Sequence, residues 1–356
     1  MKVADKNFRT IWPDARCKFV EIIDQTKLPF AFELVRIENV AQMVHAIKTM
    51  QVRGAPLIGA AAAYGMALAM LEDDSNTHLR YAANMLINSR PTAVNLKWAV
   101  SHMVACLQDI SIQRNLTAWR EAAHIAEEDV AQNQAIGQHG LKLIEAAYQN
   151  KQFNIMTHCN AGWLATVDFG TALSPIYAAH DAGLKIHVWV SETRPRNQGA
   201  ALTAWELAQH GVPHTVITDN AGGHLMQQGL VDMVIVGADR VTKNGDVCNK
   251  IGTYLKALAA HDNNIPFYAA VPSPTIDWNI ADYNDIEIEQ RDASEVANIQ
   301  GLAVDGSLQT VRVIPLESQA ANPAFDVTPA RLVTGIITEK GIFAPSDLGL
   351  FGKNLL

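Results

Sequence analysis

The side chains of this sequence that are best suited to proton transfer are concentrated in short polar clusters. Each cluster directly follows a short run of apolar and β-branched residues, which is the pattern of a buried strand. Because ligands bind at the carboxyl ends of strands in an open parallel sheet, we expect these clusters to line one crevice. Thiol and carboxylate groups at that crevice suit general acid–base chemistry. The residues concerned are Cys159, Glu192, Asp219 and Asp239.

Each of these residues also has a structural interpretation. Glu192 and Asp219 are equally suited to cap or charge the start of a following helix. A lone cysteine is more often a small buried hydrophobe than a nucleophile. Cys159, however, lies in a predicted strand-to-helix turn, where a helix amino terminus lowers the pKa of a thiol. Asp239 follows a glycine and an alanine, which let a ligand approach closely. Both interpretations stay open on position alone.

The features that could bind phosphate differ from those of nucleotide-binding proteins. The sequence has no Walker A loop and no G-x-G-x-x-G after a strand. Instead, Arg53-Gly54-Ala55 precedes an alanine-rich run, so that a guanidinium and the free N–H groups of a helix start can meet an anion. Arg90 and the pair Asn249-Lys250 can supplement this site. Metal binding is not indicated, since the histidines lack the spacing of metal ligands.

Two regions of different periodicity must position these residues. A β-like entry segment is followed by patterns with apolar residues at i, i+3, i+4 and i+7, which predict helices. The second region alternates β-rich runs with amphipathic stretches, which is typical of βαβ units. We therefore predict an α/β protein with a mostly helical N-terminal domain, 1–130, and a doubly wound, Rossmann-like parallel-sheet domain, 131–356. Predicted helices include 56–71, 78–89, 93–111, 118–149, 164–182 and 200–210, and predicted strands 153–156, 186–190, 214–217, 233–236 and 266–270.

The composition excludes several classes of partner. A formal net charge of −8 argues against a general affinity for nucleic acid or anionic membranes. The apolar run 56–71 is too short to cross a bilayer and is rich in alanine, which predicts a buried helix. The N-terminus lacks the pattern of a signal peptide, and the four cysteines lack the spacing of a disulfide framework. We expect a cytoplasmic protein with free thiols.

Several longer motifs resemble those of the methylthioribose-1-phosphate isomerase family. They occur in the family's order over nearly the whole chain, which makes the resemblance specific. Its superfamily also contains the regulatory α, β and δ subunits of initiation factor 2B, which are not enzymes, and an archaeal ribose-1,5-bisphosphate isomerase. The motifs are R-G-A-P at 53–56, T-H-C-N-A-G at 157–162, E-T-R-P at 192–195, G-A-D-R at 237–240, N-K-I-G-T-Y at 249–254 and N-P-A-F-D-V-T-P at 322–329.

The resemblance implies an aldose–ketose isomerase of methionine salvage that converts 5-methylthioribose 1-phosphate into 5-methylthioribulose 1-phosphate. It implies Cys159 and Asp239 as the catalytic pair, which separates the enzymes from the regulatory subunits. It further implies a Rossmann-like homodimer that needs no cofactor. The alternatives are an isomerase of 5-deoxyribose 1-phosphate or ribose 1,5-bisphosphate, and a non-catalytic regulatory subunit. The implied substrate contacts are Arg53, Gly54, Ala55, Arg90, Gln198, Asn249 and Lys250.

The substrate dictates what such a catalytic pair must do. Its anomeric oxygen carries phosphate, so an acid has to help the ring oxygen leave before hydrogen moves from C2 to C1. Our hypothesis from the sequence is that Asp239, kept protonated by an apolar pocket, is the acid and Cys159, as a thiolate, the base. The assignment of acid and base stays open, and a direct hydride shift from C2 to C1 is the competing route.

Overall fold

The computed structural model of the protein describes residues 1–110 and 112–349. Two predicted segments end outside the described residues: helix 93–111 at Ser111, and domain 131–356 in its last residues, 350–356. The helices are α1 Val40–Lys48, α2 Ala55–Glu72, α3 Asn76–Ile87, α4 Val94–Leu107, α5 Arg114–Ala147, α6 Ser174–Asp181, α7 Ala204–His210, α8 Ala221–Gln227, α9 Thr253–Asp262 and α10 Ser294–Ala297. The strands are β1 Lys2–Val3, β2 Lys6–Asn7, β3 Ile11–Pro13, β4 Val20–Ile23, β5 Leu34–Ile37, β6 Phe153–Thr157, β7 Ile186–Ser191, β8 His214–Ile217, β9 Met233–Val236, β10 Arg240–Thr242, β11 Val247–Lys250, β12 Phe267–Ala270, β13 Ile276–Asp277, β14 Asn298–Leu302, β15 Leu308–Arg312, β16 Phe325–Thr328, β17 Gly335–Thr338 and β18 Gly341–Phe343.

The largest sheet has the strand order β8-β7-β6-β9-β12-β17-β18, and all its strands are parallel except the edge strand β18. Numbered by their appearance in the chain, the six parallel strands lie in the order 3-2-1-4-5-6, which is the doubly wound arrangement. The predicted fold class is confirmed. The order reverses between β6 and β9, and a reversal of this kind leaves a crevice at the carboxyl ends of the two strands.

Side chains alternate between the two faces of this sheet, as the pleat of a strand requires. In β6, Ile155 packs with residues of α5, α6 and α7, whereas Met156 packs with residues of α8 and α9. In β9, Ile235 packs with the first of these groups of helices and Val236 with the second. Because helices cover both faces, these strands are apolar at successive positions instead of alternate ones.

The N-terminal region packs around α2, a helix rich in alanine and glycine. The antiparallel strands β3, β4 and β5 form a small sheet, and α1, α3, α4 and part of α5 surround α2. Among the described helices, α2 is the one that could cross a membrane by length and composition, but 83% of it is buried inside the protein. That burial is the property of a core helix, as the composition of the segment predicts.

Helix α5 runs through the boundary that we predict at residue 130. Side chains as far as Val130 pack in the core around α2, whereas Ile136 and Ile144 pack against the large sheet. One continuous helix therefore contributes to both cores. The division of the chain at this residue stays a prediction.

The prediction of one long helix at 164–182 was wrong over its first half. A 3₁₀ turn, Trp163–Ala165, is followed by irregular backbone, and α6 begins only at Ser174. Phe169 and Gly170 both have positive φ angles, +67° and +79°, which a helix cannot accommodate. Most apolar side chains of this loop are nevertheless buried, which explains the misleading pattern.

Two further sheets lie beyond the predicted strands. Strands β13, β10, β11 and β16 form one of four strands, and β14 and β15 form a hairpin. The first of them carries Arg240, Asn249 and Lys250. Each of its strands has four residues or fewer, too few for a clear period in the sequence.

Candidate active site

Cys159 follows β6 in a left-handed backbone conformation, with φ +63°, and is only 8% exposed. Two threonine side chains fix its peptide groups. The N–H of Cys159 donates to Thr193 Oγ1 at 2.8 Å, and Thr203 Oγ1 donates to the carbonyl oxygen of Cys159 at 2.7 Å. A buried non-glycine residue in this conformation is held by its surroundings, and such positions cluster at functional sites.

The helix amino terminus that we expected behind Cys159 is absent from this loop. The chain continues into a 3₁₀ turn of three residues and not into a helix. Burial raises the pKa of the Cys159 thiol, and Asp239 raises it further, while the cations Arg53 and Lys250 act in the opposite direction. The balance lies above the usual value for a cysteine. The prediction of a thiolate stabilised by a helix was therefore wrong in its physical cause.

Glu206, a completely buried residue of α7, stabilises the Cys159 loop by accepting hydrogen bonds from it. Its carboxylate accepts four hydrogen bonds, and burial nevertheless raises its pKa to about 7. A Cβ atom on Gly162 would lie 1.7 Å from Glu206 Oε2, so only glycine fits above the carboxylate. The four donors are Asn160 Nδ2, the backbone N–H groups of Trp163 and Leu164, and the hydroxyl of Tyr177.

Arg53 is attached to the same loop. Its guanidinium donates to Asn160 Oδ1 at 2.5 Å and to the carbonyl oxygen of Asn160 at 3.0 Å. Gly54, with φ +101°, lets the start of α2 approach the loop, since a Cβ there would lie 2.4 Å from the carbonyl oxygen of Ala165. Helix α2 begins at Ala55 with no side-chain cap. Its first free N–H groups therefore lie beside an arginine, as the predicted phosphate site requires.

The charges of the predicted site act on one another. Burial lowers the pKa of Lys250, whereas Cys159 and Asp239 raise it and Arg90 lowers it. Arg53 responds in the same way to burial and to these three neighbours. The ammonium of Lys250 donates to the carbonyl oxygen of Ala324 at 2.9 Å and forms no ion pair with a carboxylate in the described part of the chain. The charges of four groups therefore influence one another's protonation. The four are Arg53, Lys250, Cys159 and Asp239.

Two cavities open beside this group. A cleft of about 590 Å³ is lined by Arg53 and Gln198, and a narrow cavity of about 30 Å³ by Ala55, Arg90 and Asp239. The guanidinium of Arg90 lies 3.6 Å from Glu289 Oε2.

The remaining predicted residues line neither cavity. Gly54, Cys159 and Lys250 are buried. Asn249 is buried too, and its amide donates to Thr253 Oγ1 at 3.0 Å. The structure thus assembles most of the predicted residues around the Cys159 loop, while the amide of Asn249 is turned to α9.

Asp219 has a structural role. It accepts hydrogen bonds from the hydroxyl of Ser191 and the N–H groups of Thr193 and Arg194, at 2.6 to 2.8 Å. Burial alone would raise its pKa, but these bonds outweigh burial and lower it. Asp219 thereby holds the turn that presents Thr193 to Cys159. Glu192 takes part through its backbone, bonded to Ile217 and Ala200.

One group of possible metal ligands lies outside this site. His102, Cys106 and Glu121 offer donor atoms within 4.8 Å of one another on α4 and α5. His102 Nε2 and Glu121 Oε1 are already joined by a hydrogen bond of 2.6 Å. The two atoms that would have to bind an ion are therefore already hydrogen-bonded to each other.

Sequence reasoning missed Glu206 and the threonines that fix Cys159. Glu206 stands alone in an apolar stretch without a motif, and its significance depends on partners more than 25 residues away. A charged residue in the middle of a predicted buried helix face was the only available signal.

Comparisons with known proteins agree with this architecture. The model of the initiation factor 2 subunit family matches residues 51–345. A methylthioribose-1-phosphate isomerase of Acidiphilium cryptum is 61% identical over 98% of this chain and 96% of its own length, and that of Rhodospirillum rubrum is 59% identical over 99% and 93%.

Solved structures give the same result. The 5-methylthioribose 1-phosphate isomerase of Pyrococcus horikoshii is 40% identical, with a TM-score of 0.84 over 98% of this chain and 96% of that one. A protein of A. fulgidus described as subunit delta of the translation initiation factor eIF-2B is 42% identical, with a TM-score of 0.80 over 96% and 97%. The chain belongs to the initiation factor 2 subunit family and, within it, to the group of the methylthioribose-1-phosphate isomerases.

Proposed function

We propose that this protein isomerises 5-methylthioribose 1-phosphate to 5-methylthioribulose 1-phosphate and that Cys159 and Asp239 transfer the protons. One observation carries the assignment of the pair. The two residues follow β6 and β9, the neighbouring strands between which the chain order reverses, and the charges of Arg53 and Lys250 act on both. Methylthioribose-1-phosphate isomerases that are about 60% identical to this chain support the assignment of the reaction.

The surroundings of Cys159 favour a thiol over a thiolate. Burial raises its pKa, and a bound phosphate would use the positive charge of Arg53 and Lys250 that now acts in the opposite direction. We therefore assign Cys159 as the acid and Asp239 as the base, which reverses the hypothesis from the sequence. Cations near Asp239 also replace the apolar pocket on which that hypothesis depended.

The reaction then proceeds in two balanced steps. Cys159 gives its proton to the ring oxygen as the bond from C1 to that oxygen breaks, while Asp239 removes the proton from C2 and the electron pair forms a double bond between C1 and C2. In the resulting enol phosphate, Asp239 returns its proton to C1. The proton of the 2-hydroxyl passes to the Cys159 thiolate, leaving the C2 carbonyl. Both residues regain their starting states.

The phosphate needs positive charge and N–H donors at one end of the sugar. Arg53, Lys250 and the uncapped start of α2 at Ala55 supply them. The 5-substituent needs an apolar wall, and the large cleft has one, formed by Leu28, Met50, Leu202, Ile299 and Leu308. Burial of a methylthio group there gains about 25 cal/mol per Å² of apolar surface, whereas a second phosphate would lose its hydration.

Isomerisation in D₂O tests the route. With Asp239 as the carrier, the proton taken from C2 can exchange with solvent before it returns, so we expect deuterium at C1 of the product, measured by NMR. Complete retention of the substrate hydrogen through many turnovers would contradict the proton-transfer route and favour a hydride shift.

The cellular context is also part of the proposal. We propose a cytoplasmic homodimer, because four free cysteines suit a reducing compartment and because the hairpin β14–β15 exposes several apolar side chains. Light scattering on the purified protein tests the dimer, and a monomer at micromolar concentration would contradict it. The exposed hairpin side chains include Leu302, Leu308 and Val311.

A further inference from the structure

Three buried amide oxygens in the large cleft have no hydrogen-bond donor among the described residues. They are Gln25 Oε1, Asn197 Oδ1 and Gln198 Oε1, and all three residues line this cleft. Buried polar atoms in native proteins are nearly always paired, so a group of unpaired acceptors calls for an explanation. Resemblance to the family indicates only Gln198 as a substrate contact.

The orientation of Gln25 is determined by its own hydrogen bond. Its Nε2 donates to the carbonyl oxygen of Leu164 at 2.7 Å, and the residue is 4% exposed. A carbonyl accepts and cannot donate, so the amide cannot be turned over without losing this bond. Gln25 Oε1 is therefore the free atom. Because Leu164 belongs to the loop that carries Cys159, this acceptor is attached to the loop of the reaction site.

A ligand bound in the cleft can supply the missing donor. The nearby guanidinium of Arg53 is already directed to Asn160. The phosphate and the thioether of the substrate only accept hydrogen bonds at neutral pH. Its ring hydroxyls at C2 and C3 are its two donors, and the acceptors Gln25 and Gln198 both line the cleft that would hold them.

We infer that Gln25 is a further substrate-binding residue, whose Oε1 accepts a hydrogen bond from a ring hydroxyl of the sugar. Gln198 accepts from the other hydroxyl, and the third free acceptor, Asn197 Oδ1, is assigned no donor from the sugar. This inference rests on the proposed function and extends it to the recognition of the sugar's diol. A site with buried acceptors discriminates against a ligand that lacks the hydroxyl, because its acceptor is then left unpaired.

A binding cycle between protein and ligand tests the contact. Dissociation constants are measured for the parent sugar phosphate and its 2-deoxy and 3-deoxy analogues, with the wild type and with Gln25→Met. In the wild type, each deoxy analogue should bind roughly 10-fold more weakly than the parent, because each leaves one acceptor unpaired. In Gln25→Met, the parent should lose the same factor, and one of the two analogues, the one that lacks the hydroxyl bound by Gln25, should bind no worse than the parent.

The matched control is Gln51→Met. Gln51 is half-buried and lies next to the cleft lining, but its amide donates to Asp24 Oδ2 at 2.8 Å. The control should discriminate between parent and deoxy analogue as the wild type does. Equal binding of all three ligands by the wild type would overturn the inference even if Gln25→Met failed to fold. Uniform weakening of all ligands in Gln25→Met would overturn it too, since that is the effect of a structural residue.

The test is separate from that of the proposed reaction. Turnover of the parent by the wild type decides the function, whereas the difference between parent and deoxy analogue decides Gln25. A wild type that isomerises the parent without discriminating against either analogue would retain the function and reject the contact.

Discussion

The two loops that carry the proposed catalytic pair, Cys159 and Asp239, are built in different ways. In the loop after β6, Cys159 is buried and has a left-handed backbone conformation. Two threonine side chains bond to its peptide groups, and Glu206 accepts hydrogen bonds from the backbone of the same loop. The loop after β9 is short, and Asp239 is only half-buried, with its N–H bonded to the carbonyl oxygen of Cys248. Substitutions in the first loop should therefore affect folding and chemistry together, whereas substitution of Asp239 should affect chemistry alone.

The largest effect is expected from Cys159→Ser. A serine keeps nearly the same volume, but its hydroxyl is far too weak an acid to protonate the ring oxygen, so turnover should fall by about 10⁴ or more. Cys106→Ser, a cysteine remote from both loops, is the control and should keep full activity. An active Cys159→Ser enzyme, assayed by product formation, would remove this residue from the chemistry.

Asp239→Asn should reduce turnover by about 10²–10⁴, because the amide cannot accept the C2 proton. Since the side chain is half-buried and the loop needs no contact from it, the thermal midpoint should stay within a degree or two of the wild type. Near-normal turnover would exclude a role as base. A large drop in the midpoint would contradict the contrast between the two loops.

Glu206→Gln should lower the free energy of unfolding by about 3–5 kcal/mol, because the NH₂ group of the new amide faces donors that need an acceptor. Substrate affinity should fall as well, since Asn160 then no longer holds Arg53. Tyr177→Phe removes one hydrogen bond from the same carboxylate without touching Asn160, and it should lose stability but keep affinity. Equal loss of affinity in both variants would assign Glu206 a purely structural role.

Arg53→Ala should weaken substrate binding by about 1.5–3 kcal/mol, the size of a charge-assisted hydrogen bond. The loop keeps its support from Glu206, so the fold should remain intact. Calorimetric titration with substrate measures the effect. Unchanged affinity in a folded variant, or a collapse of thermal stability, would show that Arg53 is part of the scaffold and that the phosphate binds elsewhere.

The last effect, which is the smallest for a change of a single pH unit, concerns pH. Burial raises the pKa of Glu206 and of Asp129 to about 7, so the native state keeps protons that the unfolded chain releases near pH 4. Stability should therefore fall as pH rises from about 4 to 7, by up to about 1.4 kcal/mol per pH unit for each group. Urea titrations of Asp129→Asn should show a shallower fall than the wild type. An unchanged slope would contradict the raised pKa of Asp129.

Local patterns predicted five of the seven strands of the large sheet, all except β17 and β18, and indicated Cys159 and Asp239 as candidate catalytic residues. Buried parallel strands read as apolar runs because both faces are covered, and their polar ends mark the crevice whatever the details of packing. Cys159 and Asp239 lie directly after two such runs, within sequence motifs. Most of the longer helices were predicted from their period, whereas α8, α9 and α10 were not predicted, and the positive φ angles at Phe169 and Gly170 interrupt the predicted helix 164–182.

Contacts between distant segments were decided by the tertiary structure alone. Glu206 supports a loop more than 40 residues before it, and Gln25 bonds to Leu164, 139 residues away. Asp219 reads in the sequence as a helix cap or a catalytic acid, and only folding directs it to the turn at Thr193. The raised pKa of Cys159 depends on burial, which no neighbouring residue encodes. The sequence by itself determined which groups can react; folding determined how each is held and which proton it carries, because distance and burial are properties of the packed chain.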